Sequence, residues 1–129
     1  MTKDTAPLEK KIGVLFKNKK TLVEALTHRS FLNERPNWPE PHNERLEYLG
    51  DAVLELTVTE ALFRKFPDLS EGQLTVLRAA LVNYQMLAKD AAEVELEKFI
   101  FMARGEAKDT GKAREVILAN AFEALIGAI

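Results

Sequence analysis

Residues 42–51, HNERLEYLGD, set Glu44, Glu47 and Asp51 into the start of a run that otherwise suits a buried helix. The run continues through 52–56, AVLEL, and at about 100° per residue Glu44, Glu47, Asp51 and Glu55 fall within about 80° of one another. They form one acidic stripe. Leu46, Leu49, Val53 and Leu56 occupy another face, and Gly50 leaves room for a second helix to approach closely. This pattern predicts a central helix over 43–66. An acidic stripe on such a helix has an ordinary meaning, a solvated face, and a chemical one.

A second helix favours the chemical meaning. In 116–129, VILANAFEALIGAI, the only polar side chains are Asn120 and Glu123, spaced i, i+3 and so on one side. A carboxylate in such apolar surroundings costs several kcal/mol unless it is paired or coordinates a cation. Setting the Asn120/Glu123 edge against the Glu47/Asp51 edge gathers four oxygen-bearing side chains. That donor set suits a hard divalent ion such as Mg²⁺, with Mn²⁺ a substitute, and no histidine or cysteine is placed to favour zinc. The same carboxylates also fit a structural knot in which Arg45, Arg78 or Arg114 pairs with them and no metal binds.

The rest of the chain reads as all-α. Asn18, Asn43, Ser70 and Asn83 each precede an apolar-periodic run as an N-cap would, Ser70 with Gln73 forms a capping-box pattern, and strand-type alternation is absent. Helices are expected over 7–16, 19–29, 43–66, 70–82, 84–94 and 113–129, with a short turn in 95–102 and loops over 33–41 and 104–112. With 129 residues, the chain fits one domain, 1–129. The absence of cysteine suits a reducing cytoplasm, and no apolar run approaches the ~20 residues of a membrane span. A soluble, cytoplasmic protein with no membrane partner is the expectation. The net charge of −2 gives no global basic field, so binding to a polyanion needs local lysines and arginines or a bound cation.

NERLEYLGDAVLEL at 43–56, ALTHRSF at 25–31, SEGQLTVLRAALVN at 70–83 and ILANAFEALIGAI at 117–129 together closely resemble the catalytic domain of ribonuclease III, in that family's order. The resemblance implies a helical endonuclease-domain fold that forms a homodimer and cuts double-stranded RNA with Mg²⁺, leaving 5′-phosphate and 3′-hydroxyl ends with short 3′ overhangs. By position, Glu47, Asp51, Asn120 and Glu123 match the family's metal-binding and catalytic cluster, the same four that helix geometry gathers. Glu44 and Glu71 match acidic positions that help place or process the RNA, although each also sits in a first helical turn, where a carboxylate complements the macrodipole. Tyr48 matches an aromatic that inserts into the partner subunit. Position 120 departs from the commoner aspartate; an amide oxygen can still serve a metal but brings no charge.

Lys108, Lys112 and Arg114 lead directly into the Asn120/Glu123 helix and are the candidates for RNA phosphate contact, ahead of the cluster around Lys17, Lys19 and Lys20. His28 reads as a hydrogen-bonded packing residue, and Trp38 lacks companions for base stacking. Bacterial members of the family continue past this helix into a double-stranded-RNA-binding domain, so a fragment is expected, ending inside an apolar helix at Ile129. The competing functional reading is a non-catalytic RNA-binding or ribosome-associated scaffold of the same fold.

Overall fold

The computed structural model describes residues 3–108 and 111–129, with the side chain of Lys108 outside that description. Several of its helices begin where a side chain accepts from a free N–H group. The first, α1 (Ala6–Ile12), has Pro7 in its opening turn and ends at Gly13, whose φ of 73° turns its N–H back to the Glu9 carbonyl at 2.9 Å. A left-handed residue closes a helix, so the expected helix over 7–16 is shorter. Buried Glu9 then fastens the following turn, its Oε2 accepting from the Phe16 N–H at 2.8 Å and from Lys19 Nζ at 2.5 Å.

The expected helix over 19–29 is two helices. Asn18 caps α2 (Lys19–Ala25) through the Lys20 N–H, and the chain then extends at Thr27, which forms an isolated parallel bridge with Phe101. His28 restarts it as α3 (Arg29–Glu34), accepting from the Ser30 N–H on Nδ1. Burial pushes the His28 imidazole below its usual pKa, which favours the neutral ring, the form that can accept on a ring nitrogen. Trp38, expected to lack aromatic companions, has two, because the break after α2 brings Phe101 beside α3: Phe31 meets it edge-on and Phe101 at a tilt, each with centroids 4.9 Å apart, and Phe31 and Phe101 lie 5.4 Å apart.

The long helix α4 (Glu44–Lys65) follows Asn43, which is not its side-chain cap. Asn43 is buried and donates its side-chain amide to the Ala25 carbonyl at 3.1 Å, while its backbone N–H goes to the Thr27 carbonyl at 2.9 Å. It ties the start of α4 to the break after α2. Ser70 and Gln73 form the expected capping box at α5 (Glu71–Leu81), and Asn83 caps α6 (Tyr84–Glu93) while also donating to the Ala79 and Ala80 carbonyls of α5. A 3₁₀ turn (Leu96–Lys98) precedes α7 (Arg104–Lys108), a short helix inside the expected 104–112 loop, and α8 (Lys112–Ala128).

The enclosed helix is α8, not α4. Both α4 and α6 pack chiefly on α8, which buries Ile117, Ala119, Ala121, Ala124 and Leu125, whereas α4 buries only Gly50 and Leu62. The main core joins α8 to Leu8, Leu22, Leu26, Leu96 and Ile100. The described residues are all-α, without a named strand, and no helix among them is long and apolar enough to cross a membrane.

Candidate functional site

The acidic stripe of α4 meets the polar edge of α8 because two glycines let the helices touch. A Cβ added at Gly50 would collide with the Glu123 carbonyl oxygen and lie 2.9 Å from the Gly127 nitrogen; one added at Gly127 would collide with the Leu46 carbonyl and lie 3.0 Å from the Gly50 nitrogen. No side chain fits in that crossing. The approach sets Asn120 and Glu123 beside Glu47 and Asp51, and these four, with Glu44 and Tyr48, line one open cleft of about 550 Å³.

Like charges dominate it. Burial first, then the negative charges of Glu44 and Asp51, push the Glu47 carboxyl above its usual pKa. Burial, a hydrogen bond shared with Asp51, and the charges of Asp51 and Glu47 push Glu123 up to about 8. Such carboxylates are set to take up protons or a cation. Among the described residues no lysine or arginine forms an ion pair with Glu47, Asp51 or Glu123: Arg78 pairs with Glu55 at 3.6 Å and donates to Thr59, and Arg114 donates to the Ala107 carbonyl at 2.9 Å.

No three His, Cys, Asp or Glu groups among the described residues converge into a ready-made metal cage; the carboxylates line cleft walls. The donor chemistry nevertheless fits a hard divalent ion, with anionic oxygens from Glu47, Asp51 and Glu123, the Asn120 amide, and space for retained waters.

The remaining candidates lie around this centre or away from it. Tyr48 is 84% exposed at the cleft edge. Glu71 lines a separate groove of about 360 Å³ at the other end of α4, with Phe63, Leu74 and Arg78. Lys112 Nζ sits 5.6 Å from the Tyr84 ring centroid, and the Lys108 side chain is outside the described residues. One contact is absent from the sequence reading: Arg29 reaches from α3 to Glu44 at 2.7 Å and tempers the cleft rim. Its sequence separation of 15 residues, across a helix break, leaves no periodic signal.

A family model described as Ribonuclease-III-like matches residues 18–129. Curated relatives named Ribonuclease 3 from Geobacillus sp. (strain WCH70) and Geobacillus thermodenitrificans are each 50% identical over 122 residues, covering 95% of this chain and 50% of theirs. The chain thus spans about half the length of the curated relatives it matches. Among solved structures, the nuclease domain of ribonuclease III from Campylobacter jejuni, described for structural flexibility in a region involved in dimer formation, is similar at 46% identity and a TM-score of 0.87, over 97% of this chain and 83% of that one. A Dicer from Pichia stipitis is similar at 36% identity and a TM-score of 0.63, over 89% of this chain and 47% of that one.

Proposed function

The chain belongs to the ribonuclease III family, and we propose that it is the nuclease portion of an Mg²⁺-dependent endoribonuclease that cuts double-stranded RNA to 5′-phosphate and 3′-hydroxyl ends with short 3′ overhangs. The observation that carries this reading is the cleft in which Glu47, Asp51, Asn120 and Glu123 meet with no protein cation paired to the carboxylates among the described residues.

In this mechanism Glu47, Asp51 and Glu123, assisted by Asn120, would hold Mg²⁺, which would supply a lowered pKa for an attacking water and neutralisation of charge on the scissile phosphate. Asp51 and Glu123, close enough for Asp51 to raise the Glu123 pKa, would orient the waters at the site. Asn120 contributes an oxygen without charge. No side chain need become the covalent nucleophile, because water attacks in line. Glu44 and Glu71 help place the RNA, and Lys108, Lys112 and Arg114 at the approach to α8 meet its phosphates. A homodimer in which Tyr48 enters the partner subunit presents two such clefts, one to each strand of an A-form duplex read by shape.

The test is incubation of a long RNA duplex with the protein with Mg²⁺, with Mn²⁺ and with EDTA, and sequencing of the product ends. Cleavage that needs the divalent ion and leaves the stated ends supports the reading. Duplex binding without cleavage in any of these conditions favours the non-catalytic scaffold.

A further inference from the structure

Away from the acidic cleft, α3 and the segment leading into α7 enclose a second one of about 510 Å³, lined by Lys3, Phe31, Glu34, Arg35, Phe101 and Arg104. Its charge is opposite: three cations stand against one carboxylate, in a chain whose net charge is −2. Lys3 Nζ donates to the Ile100 carbonyl at 2.8 Å and lies 5.4 Å from the Phe101 ring centroid, while the Arg35 guanidinium lies 5.7 Å from that of Phe31. These contacts hold two cationic side chains in place over apolar ground. The Arg104 backbone N–H donates to Glu34 Oε2 at 3.3 Å, which joins the α7 side of the cleft to the α3 side.

The chemistry of the occupant follows from what is covered and what is not. Phe101 is only 4% exposed, and partly buried Phe31 packs against it and Trp38 with the Arg35 guanidinium beside its ring, so the cleft offers a base little aromatic face. Lys3, Arg35 and Arg104 are exposed. Positive charge without a stacking surface suits a phosphodiester backbone rather than a nucleobase. The position agrees with this. Arg29, at the start of α3, pairs with Glu44 on the rim of the acidic cleft, and Glu34 and Arg35, at its end, line the basic one. Six helical residues span about 9 Å, so one rigid turn-and-a-half separates the two ends.

We infer that the Lys3–Arg35–Arg104 cleft is an auxiliary phosphate site for the arm of duplex RNA lying beyond the cleavage point. It rests on the nuclease reading, and supplies substrate affinity that an acidic catalytic cleft cannot.

The experiment compares the parent with K3Q/R35Q/R104Q, and with R35Q alone, by fluorescence anisotropy of labelled one-turn and multi-turn RNA duplexes in EDTA across a salt series. The expected result is weaker binding of the multi-turn duplex by the triple variant, with a slope of log K against log salt shallower by about 0.7–0.9 for each phosphate given up. One-turn binding should change less than about 2-fold, and R35Q should fall between parent and triple variant. In Mg²⁺, KM for the long duplex should rise with kcat kept. Parental affinity and slope in the triple variant, or equal loss on both duplexes, overturns the inference. So does saturable binding of AMP or inorganic phosphate to the parent, lost in R35Q, with duplex affinity intact: the cleft is then a small-anion site. A parent that binds and cuts no duplex defeats the nuclease reading and this inference together, whereas the other negative outcomes leave the nuclease reading standing.

Discussion

Glu123 combines a structural cost with a chemical use. Held among apolar neighbours beside Asp51 and Glu47, it is pushed up to about 8 and destabilises the cleft when ionised without a cation. Glu123→Gln keeps the size and removes the charge, so Mg²⁺-dependent cleavage should fall by orders of magnitude while circular dichroism and oligomeric state stay parental. If that variant cuts at the parental rate across a Mg²⁺ titration, the assignment of the site is wrong. Asn120→Asp adds a charge to the same edge and should leave activity intact or lower the Mg²⁺ needed for half-maximal rate. Glu9 behaves oppositely. The hydrogen bond from Lys19, then the Phe16 N–H, hold its carboxyl below the usual value of 4.5. Its stabilising effect is present above 4.5 and is lost as pH falls through the depressed folded value. Glu9→Gln should therefore lower Tm at pH 7, and the gap to the parent should narrow in melts taken below about pH 4.

At the scale of elements, the crossing of α4 and α8 turns sequence spacing into a site. Gly50→Ala puts a methyl group into the Glu123 backbone, where no flexible side chain can yield, so urea titration should show a loss at or above the upper end of the roughly 1–3 kcal/mol typical of overpacking. Cleavage should suffer with it, since separating the helices moves Glu123 from Asp51. Unchanged stability would mean that the helices do not cross at these glycines. Half of this crossing was legible: Gly50 lies on a helix face with no turn to explain it, and Asn120 with Glu123 break an apolar run at helical spacing, whereas Gly127 shows its role only against the Leu46 carbonyl. Capping residues were legible for the same local reason, as at Ser70 and Asn83. What periodicity could not reveal depends on distant partners. The break after Ala25 is set by the Thr27 bridge to Phe101 and by Asn43 reaching back to the Ala25 carbonyl, and Arg29 meets Glu44 only because that break turns the chain.

Across the whole molecule, the apolar face that marked α4 as central is left open. Tyr48 is 84% exposed, Leu56 and Phe63 on α4 and Val76 on α5 are each 69% exposed, and Leu49 and Leu81 add to the same account. So many large apolar side chains left open on two neighbouring helices suit an interaction surface. Hydropathy correctly reports that these positions favour exclusion from water, but it does not say whether the covering atoms belong to the same chain. A second copy covering this face reconciles the pattern with the fold and gives Tyr48 a partner. Light scattering at tens of micromolar should then report a dimer, and Leu56→Asp should yield a folded monomer, because an isologous interface meets each substitution twice. Tyr48→Ala should weaken the dimer with less effect, since it removes contact area without burying a charge. The two variants also separate assembly from chemistry. Both leave Glu47, Asp51, Asn120 and Glu123 in place, so if duplex cleavage requires two clefts facing one A-form helix, double-strand scission should fall in step with the dimer fraction as protein is diluted. Scission that persists undiminished in a monomeric Leu56→Asp protein would show that one cleft is sufficient for both strands.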